Sequence, residues 1–315
     1  MRGKYESLVD AETWDFIDQT LAFYPADADG FSIAEQRQFY NKLCRHFHAD
    51  YPEGINAHDE EIAGPGGPLP IRNYQATGAN PKACVVYYHG GGHVVGGLDS
   101  HDDVCAEICA RTGFSVTSID YRLAPEYIYP DDFKDALAGF EHVANLSDLP
   151  IIVAGDSAGG NLAAAVSHAT RSADKQPVGQ VLIYPALGRD STGGSFVEHA
   201  QAPMLTTREI LFYKAIRTAD NDQLLLEATC SPLNDSDFSG LPPTVIISAQ
   251  CDPLSGDGKA YQQQIAKAGG KAVYFNETGL IHGYLRARHS VSRARDSFTR
   301  IVNAIDVLGR KQWPY

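Results

Sequence analysis

The stretch Ile151-Ile152-Val153-Ala154 runs directly into Gly155-Asp156-Ser157-Ala158-Gly159-Gly160, and no other part of the chain narrows the choice of fold as much. A short all-apolar run of this kind reads as a strand covered on both faces, and the residues after the glycines read as a helix. A G-x-S-x-G turn between strand and helix needs strained backbone angles at its centre, so its neighbours must carry little or no side chain. Gly155, Ala158, Gly159 and Gly160 meet that demand. Such a turn holds the Ser157 hydroxyl at the C-terminal edge of a sheet and aims a helix N-terminus at developing negative charge. Taken alone, the motif also fits a glycine-rich turn with an incidental serine.

The strand belongs to a longer alternation. From about Asn56 onward, strand-like runs occur at Leu69–Ala76, Ala83–His89, Phe114–Tyr121, Ile151–Gly155, Gln180–Tyr184, Thr244–Ala249 and Ala272–Phe275. Helical segments fall between them around 100–112, 131–145, 158–171 and 257–268, which predicts an α/β sheet with right-handed crossovers. The first fifty or so residues differ. Asp10 is placed to cap a helix with Trp14, Ile17 and Leu21 on one face, stopped at Tyr24-Pro25. Ser32 and Glu35 form a capping box for a second helix carrying Phe39, Leu43 and Phe47. Two amphipathic helices without strands cannot bury themselves, so they must pack on the rest. A second anomaly is the long connection between Tyr184-Pro185 and Thr244. It holds another capping box, Thr206 with Glu209, a candidate staple of Leu205 with Ile210, and a helix at Ile210–Arg217 that is apolar on more than one side. The expected organisation is an N-terminal helical cap at 1–55 and a catalytic domain at 56–315, with an inserted cap segment at 188–225.

Charge and cysteine usage exclude several classes. A formal net charge of −13 disfavours a phosphate-tracking surface, so nucleic acid is not an expected partner. No apolar run approaches a membrane span, and Met1-Arg2-Gly3-Lys4-Tyr5-Glu6-Ser7 lacks the apolar core of a secretory signal. The six cysteines at 44, 84, 105, 109, 230 and 251 show no metal-site spacing and read as reduced thiols of a cytoplasmic protein.

Two further segments carry chemistry. His89-Gly90-Gly91-Gly92 follows the apolar run Cys84-Val85-Val86-Tyr87-Tyr88, and its turn can expose successive backbone N–H groups. Two of those groups, with the N–H of Ala158, can bind an oxyanion. A dinucleotide-binding turn is the rival reading, but the fingerprint fails in phase at Val95. His282, flanked by Gly279 and Gly283 after the last strand, is the candidate general base. His89, His93 and His101 are rivals, yet all three precede the serine, whereas the expected chain order is Ser–Asp–His. Asp252, just beyond the strand ending near Gln250, is the candidate acid, with Asp257 and Glu277 as rivals.

His89-Gly90-Gly91-Gly92, Tyr121-Arg122-Leu123-Ala124-Pro125-Glu126, Gly155-Asp156-Ser157-Ala158-Gly159 and Asp252-Pro253-Leu254 occur together and in order. In this combination the chain resembles the hormone-sensitive-lipase-like esterases of the α/β-hydrolase fold, in the subgroup with Asp before the nucleophile. The resemblance implies a mostly parallel central sheet flanked by helices, with a helical cap. It implies Ser157 as nucleophile, Asp252 and His282 as its partners, and Gly91, Gly92 and Ala158 as oxyanion donors. The expected activity is hydrolysis of short-chain carboxylic esters without metal or organic cofactor. The expected partner is a small-molecule ester, with no membrane involved and a homodimer left open. His93, Leu205, Phe212 and Tyr213 are candidates for the substrate pocket.

Some positions depart from the family pattern. His93 stands where a bulky aromatic is usual after the glycines. Tyr127-Ile128-Tyr129-Pro130-Asp131 replaces a His-Pro-Phe-Pro-Ala-like run, and Ser255-Gly256-Asp257-Gly258 replaces the usual charged continuation. A receptor-like binding protein on the same fold is an alternative that an intact His282 disfavours. Amide, lactone or thioester substrates also suit the same three residues.

Overall fold

The computed structural model describes residues 2–24, 31–188 and 190–315. Eight strands form one sheet in the order β1-β2-β4-β3-β5-β6-β7-β8. They are β1 (Ile55–Gly64), β2 (Gly67–Ala76), β3 (Cys84–Tyr88), β4 (Ser115–Ile119), β5 (Ile151–Asp156), β6 (Gly179–Ile183), β7 (Thr244–Cys251) and β8 (Ala272–Ile281). β2 runs antiparallel to both β1 and β4, and every pairing from β4 through β8 is parallel. The helices are α1 (Ala11–Leu21), α2 (Ile33–Phe47), α3 (Asp102–Thr112), α4 (Asp131–Leu146), α5 (Ala158–Thr170), α6 (Ser195–Glu198), α7 (Thr207–Thr218), α8 (Ser255–Lys267) and α9 (Ser292–Gly309).

The parallel strands send alternate residues into two cores. Val85, Tyr87, Ile152 and Ala154 face a layer containing Ile108 of α3 and Phe298 and Ile301 of α9. Val86, Tyr88 and Val153 face the opposite layer, with Phe140 of α4, Leu162 of α5 and Ile265 of α8. Both faces are covered, which is why β3 and the Ile151–Ala154 stretch of β5 are uninterrupted apolar runs. Each core strand side chain removed from water is worth about 1.5–3 kcal/mol, so this central stack dominates the fold.

The strand positions expected from sequence agree with the sheet apart from one omission and one shortfall, since β8 runs on past the expected end at Phe275 to Ile281. β1 is an edge strand in which only Ile55 and Ile62 are buried, so no apolar alternation announces it. Asp10 caps α1 by accepting from the Thr13 N–H, and both capping boxes form, Ser32 with Glu35 and Thr206 with Glu209. The apolar face of α1 needs correction. Trp14 and Ile17 are buried as expected, but Leu21 is 53% exposed and Phe16 takes the buried role instead. α1 ends at Leu21 with a turn after it, and the expected stop at Pro25 lies outside the described residues.

The two helical segments reach different parts of the domain. Trp14, Phe16 and Ile17 of α1 join the core layer of α3 and α9. Ile33 and Tyr40 of α2, with Tyr213 and Ile216 of α7, instead pack on a small cluster of Val94, Val95 and Ala124. Arg37 of α2 fastens this contact by donating to the carbonyls of Val94 (2.8 Å) and Ala124 (2.9 Å) and gripping both carboxylate oxygens of Glu126.

Candidate active site

Ser157 sits directly after β5 with φ 54° and ψ −116°, a backbone region that costs a non-glycine residue of order 1–3 kcal/mol. Surrounding bonds hold it there. The Ser157 N–H donates to Ile183 O at 2.9 Å, and its carbonyl accepts from Asn161 N at 3.1 Å and Ala186 N at 3.3 Å. Small neighbours are required by direct contact. A Cβ on Gly159 would lie 1.9 Å from Tyr88 O, and one on Gly155 would lie 2.4 Å from Gly159 O. The glycines expected from the motif are therefore places where chain meets chain, which allows β5 and α5 to turn so sharply.

His282 follows β8, and Asp252 follows β7, so both arrive at the same C-terminal edge of the sheet as Ser157. His282 Nδ1 is 2.7 Å from Asp252 Oδ2, and His282 Nε2 is 2.9 Å from Ser157 Oγ. A carboxylate can only accept, so the proton of the neutral ring belongs on Nδ1, leaving Nε2 to accept from the serine hydroxyl. Asp252 is fully buried, and its other oxygen accepts the Leu254 N–H at 2.8 Å. The ring of Tyr184 packs on His282 with centroids 4.7 Å apart. This arrangement can deprotonate a serine and stabilise the resulting imidazolium.

The rivals have other partners. Asp257 lies in α8 and accepts the N–H groups of Leu187 and Gly188, while Glu277 pairs with Arg300. His89 is fully buried, stacks on Tyr121 with centroids 4.3 Å apart, and its Nδ1 lies 2.8 Å from Gly90 O. Burial pulls its pKa down to about 3, so it is a neutral brace for the glycine turn. His101 Nε2 lies 3.3 Å from Asp156 Oδ1. None of these three histidines, His93 included, contacts Ser157 by hydrogen bond among the described residues.

The glycine turn lies beside the serine turn. Gly91 and Gly92 have φ of 134° and 61°, which only glycine adopts without strain, and a Cβ on Gly91 would meet Val95 O at 2.0 Å. Among the described residues, no protein acceptor takes the N–H of Gly91 or Gly92, and Ala158 is the first residue of α5. The first N–H groups of a helix have no partner within it, so these donors remain free for an incoming anionic oxygen. Asp156 couples the two turns. Its Oδ1 accepts both the Gly90 N–H and the Tyr87 hydroxyl at 2.9 Å, and its Oδ2 accepts from Tyr184 at 3.3 Å. Burial alone would raise the Asp156 carboxyl, but His101 and the Tyr87 hydroxyl hold it well below the usual range.

The candidate pocket residues divide. Tyr213 is half-buried and lies over the turn, since a Cβ on Gly92 would meet its ring at 2.6 Å. Leu205 is half-buried just before the N-cap of α7, whereas Phe212 is 44% exposed, with its ring edge-on to that of Tyr213 at a centroid distance of 5.5 Å. His93 is buried with φ 62°, and its Nδ1 lies 2.8 Å from Asp132 Oδ2. Sequence reasoning missed Asp132, Arg217 and Tyr184. Only Asp132 had a signal nearby, the departure from family pattern that ends at Asp131.

An eight-stranded, mostly parallel sheet bearing a serine turn, a histidine loop and an acid loop on one edge defines the α/β-hydrolase class. A family model for the alpha/beta hydrolase fold matches residues 85–286. Carboxylesterase NlhH of Mycobacterium tuberculosis is 39% identical over 248 residues, covering 75% of this chain and 77% of its own length. Ethyl acetate hydrolase of Pseudomonas putida is 30% identical over 252 residues, covering 76% of this chain and 79% of its own. The hyperthermophilic esterase of the archaeon Pyrobaculum calidifontis superposes with a TM-score of 0.87 at 30% identity, over 95% of this chain and 98% of that one. The chain belongs to the α/β-hydrolase family, within its hormone-sensitive-lipase-like esterases. No described helix is long and apolar enough to cross a membrane.

Proposed function

We propose that this chain is a serine carboxylesterase that hydrolyses short-chain carboxylic esters through an acyl-enzyme on Ser157. The observation that carries the proposal is the single imidazole of His282, set between Asp252 at 2.7 Å and Ser157 at 2.9 Å. Ser157 Oγ attacks the ester carbonyl while His282 Nε2 takes its proton. The carbonyl oxygen becomes an oxyanion held by the N–H groups of Gly91, Gly92 and Ala158. Collapse breaks the bond to the alkoxy oxygen, and His282 returns the proton to the departing alcohol. Water then gives a proton to His282 and attacks the acyl-serine, releasing the carboxylic acid and restoring the hydroxyl. One ester and one water become one acid and one alcohol.

The short-chain preference is supported by the packing of α2 and α7 over the cluster beside the glycine turn, and by the name of the Pseudomonas putida relative, ethyl acetate hydrolase. In this reading residues 1–55 and 188–225 form the cap over a catalytic domain at 56–315. A cytoplasmic site of action is supported by six buried cysteines with no disulfide. The test is turnover of p-nitrophenyl acetate, together with mass spectrometry after labelling with a phosphonate. Turnover with one adduct on Ser157 is expected. A label on another residue, or turnover unchanged in Ser157→Ala, overturns the reading.

A further inference from the structure

One face of α7 is aimed at the glycine turn. Tyr213 and Arg217 are four residues apart and so lie on the same side of the helix. Tyr213 lays its ring on Gly92. One turn further on, Arg217 is buried, and its Nε donates to Asp132 Oδ2 at 2.8 Å. That same carboxylate oxygen lies 2.8 Å from Nδ1 of His93, though off the line of a well-aligned hydrogen bond. His93 is the residue immediately after Gly92 and holds a left-handed φ of 62°, with its carbonyl accepting the Ala124 N–H at 2.9 Å. A non-glycine residue stays in that conformation only when its surroundings fix it.

Arg217 also reaches the other side of the site. Its Nη1 donates to Asn161 Oδ1 at 3.3 Å and to Cys230 O at 3.0 Å. Asn161 lies in the first turn of α5, whose leading N–H belongs to Ala158, and its carboxamide donates to Ala186 O at 2.7 Å. One guanidinium in the inserted segment therefore touches both supports of the oxyanion donors. Through Asp132 it reaches His93 beside Gly92, and through Asn161 it reaches α5 behind Ala158. Two parts of this network coincide with departures from the family pattern: His93 replaces the usual aromatic, and Asp132 follows the altered stretch ending at Asp131.

We propose that His93, Asp132 and Arg217 are positioning residues through which the inserted helix α7 sets the spacing of the oxyanion donors, so that the seating of the cap governs the rate of the chemical step. This rests on the esterase reading of Ser157. None of the three side chains needs to touch substrate. Their effect is to keep the Gly91–Gly92 turn and the start of α5 at a fixed separation, as required for donors that act only when the oxyanion forms. A device of this kind belongs to kcat and leaves ground-state binding alone.

The experiment measures kcat and KM on p-nitrophenyl butyrate, and affinity for a trifluoromethyl ketone that forms a tetrahedral adduct, in Arg217→Met, Arg217→Lys and Asp132→Asn. Arg217→Met is expected to lower kcat by roughly thirtyfold with KM within about twofold, and to weaken the ketone in parallel. Arg217→Lys keeps the charge beside Asp132 but loses the fork, and is expected to recover most of the rate, remaining about threefold below the parent. The control is Asp235→Asn, which weakens the half-buried His168–Asp235 pair (2.6 Å) two turns along α5 from Asn161 and removes no bond to His93, Asp132 or Arg217. It should lower thermal stability and leave kcat unchanged. If Arg217→Met does not fold, Arg217→Lys and Asp132→Asn decide. A kcat equal to the parent in folded variants overturns the proposal, as does a rise confined to KM or a slower kcat with undiminished ketone affinity. A parent chain that turns over no ester defeats both this proposal and the esterase reading. A parent that does so, with variants that match it, defeats this one alone.

Discussion

Asp156 Oδ1 accepts the N–H of Gly90 at 2.9 Å, so the residue before the serine is tied to the glycine turn proposed to supply the oxyanion donors. Two chain segments that must agree to within a fraction of an ångström are joined by one carboxylate. Asp156→Ala leaves the Gly90 N–H and the Tyr87 and Tyr184 hydroxyls without their acceptor. Buried groups orphaned in this way cost about 1–3 kcal/mol each, so stability should fall by several kcal/mol and kcat with it. Asp156→Asn keeps one acceptor oxygen and should lose less on both counts. Chemical denaturation alongside steady-state kinetics compares the pair, and equal losses would show that the bond to Gly90 is not what matters.

Ser157, His282 and Asp252 are expected to act as one unit. Ser157→Ala and His282→Ala should each lower kcat by roughly four to six powers of ten, and the double variant by little more. Additive losses would mean that the 2.9 Å contact between the two side chains does not serve turnover.

Gly91→Ala tests the glycine turn. The new methyl would sit 2.0 Å from Val95 O at a φ of 134°, so the turn must shift. Loss of oxyanion alignment should lower kcat by about a hundredfold while the circular-dichroism spectrum stays that of the parent. A variant that keeps the parent rate removes the N–H of Gly91 from the mechanism.

Acyl length gives a further outcome. The kcat/KM for p-nitrophenyl esters should peak between about two and six acyl carbons, since each misfit in a closed cleft costs about 1–3 kcal/mol. A peak at palmitate, or activation when the ester forms an emulsion, would instead describe a lipase.

Asp120 predicts a pH effect on stability outside the site. Burial, reinforced by the neighbouring Asp99 carboxylate, pushes its pKa up to about 6, against about 4 in an unfolded chain. The folded state holds this proton more tightly, so this residue's contribution is fully present below pH ~4 and is lost as pH rises through ~6. Arg72 pulls the other way, and Asp59 adds to the raise. Asp120→Asn removes the penalty, so its melting temperature should match the parent near pH 4 and exceed it at pH 7. A constant difference across that range would assign the shift to something else.

Much of the sheet edge that carries the candidate site was legible because each part has a local signature. The serine turn demands glycines at contact distance, the glycine turn demands positive φ, and chain order places Asp252 before His282. What was not legible is set by contacts distant in sequence. Asp132 and Arg217 are 85 residues apart, and nothing in either neighbourhood says that they meet. β1 escaped notice because its partner β2 supplies the backbone bonds while its own side chains stay in water, which leaves only Ile55 and Ile62 as signal. Leu21 and Phe212 show the converse, apolar residues at plausible positions that the fold leaves exposed at 53% and 44%. Helical spacing marks which residues share a face but not how far the covering layer extends.

All six cysteines are buried, and they are spread across the architecture: Cys44 on α2, Cys230 beside Arg217, and Cys84, Cys105, Cys109 and Cys251 on or against the sheet. A thiol reagent in solution therefore meets none of them until the chain opens. Cys44 and Cys230 will be modified when α2 or the inserted segment lifts, and the other four only when the sheet and its helices come apart. The native protein thus carries two internal clocks, and their separation in time measures how independently α2 and the inserted segment move from the sheet beneath them.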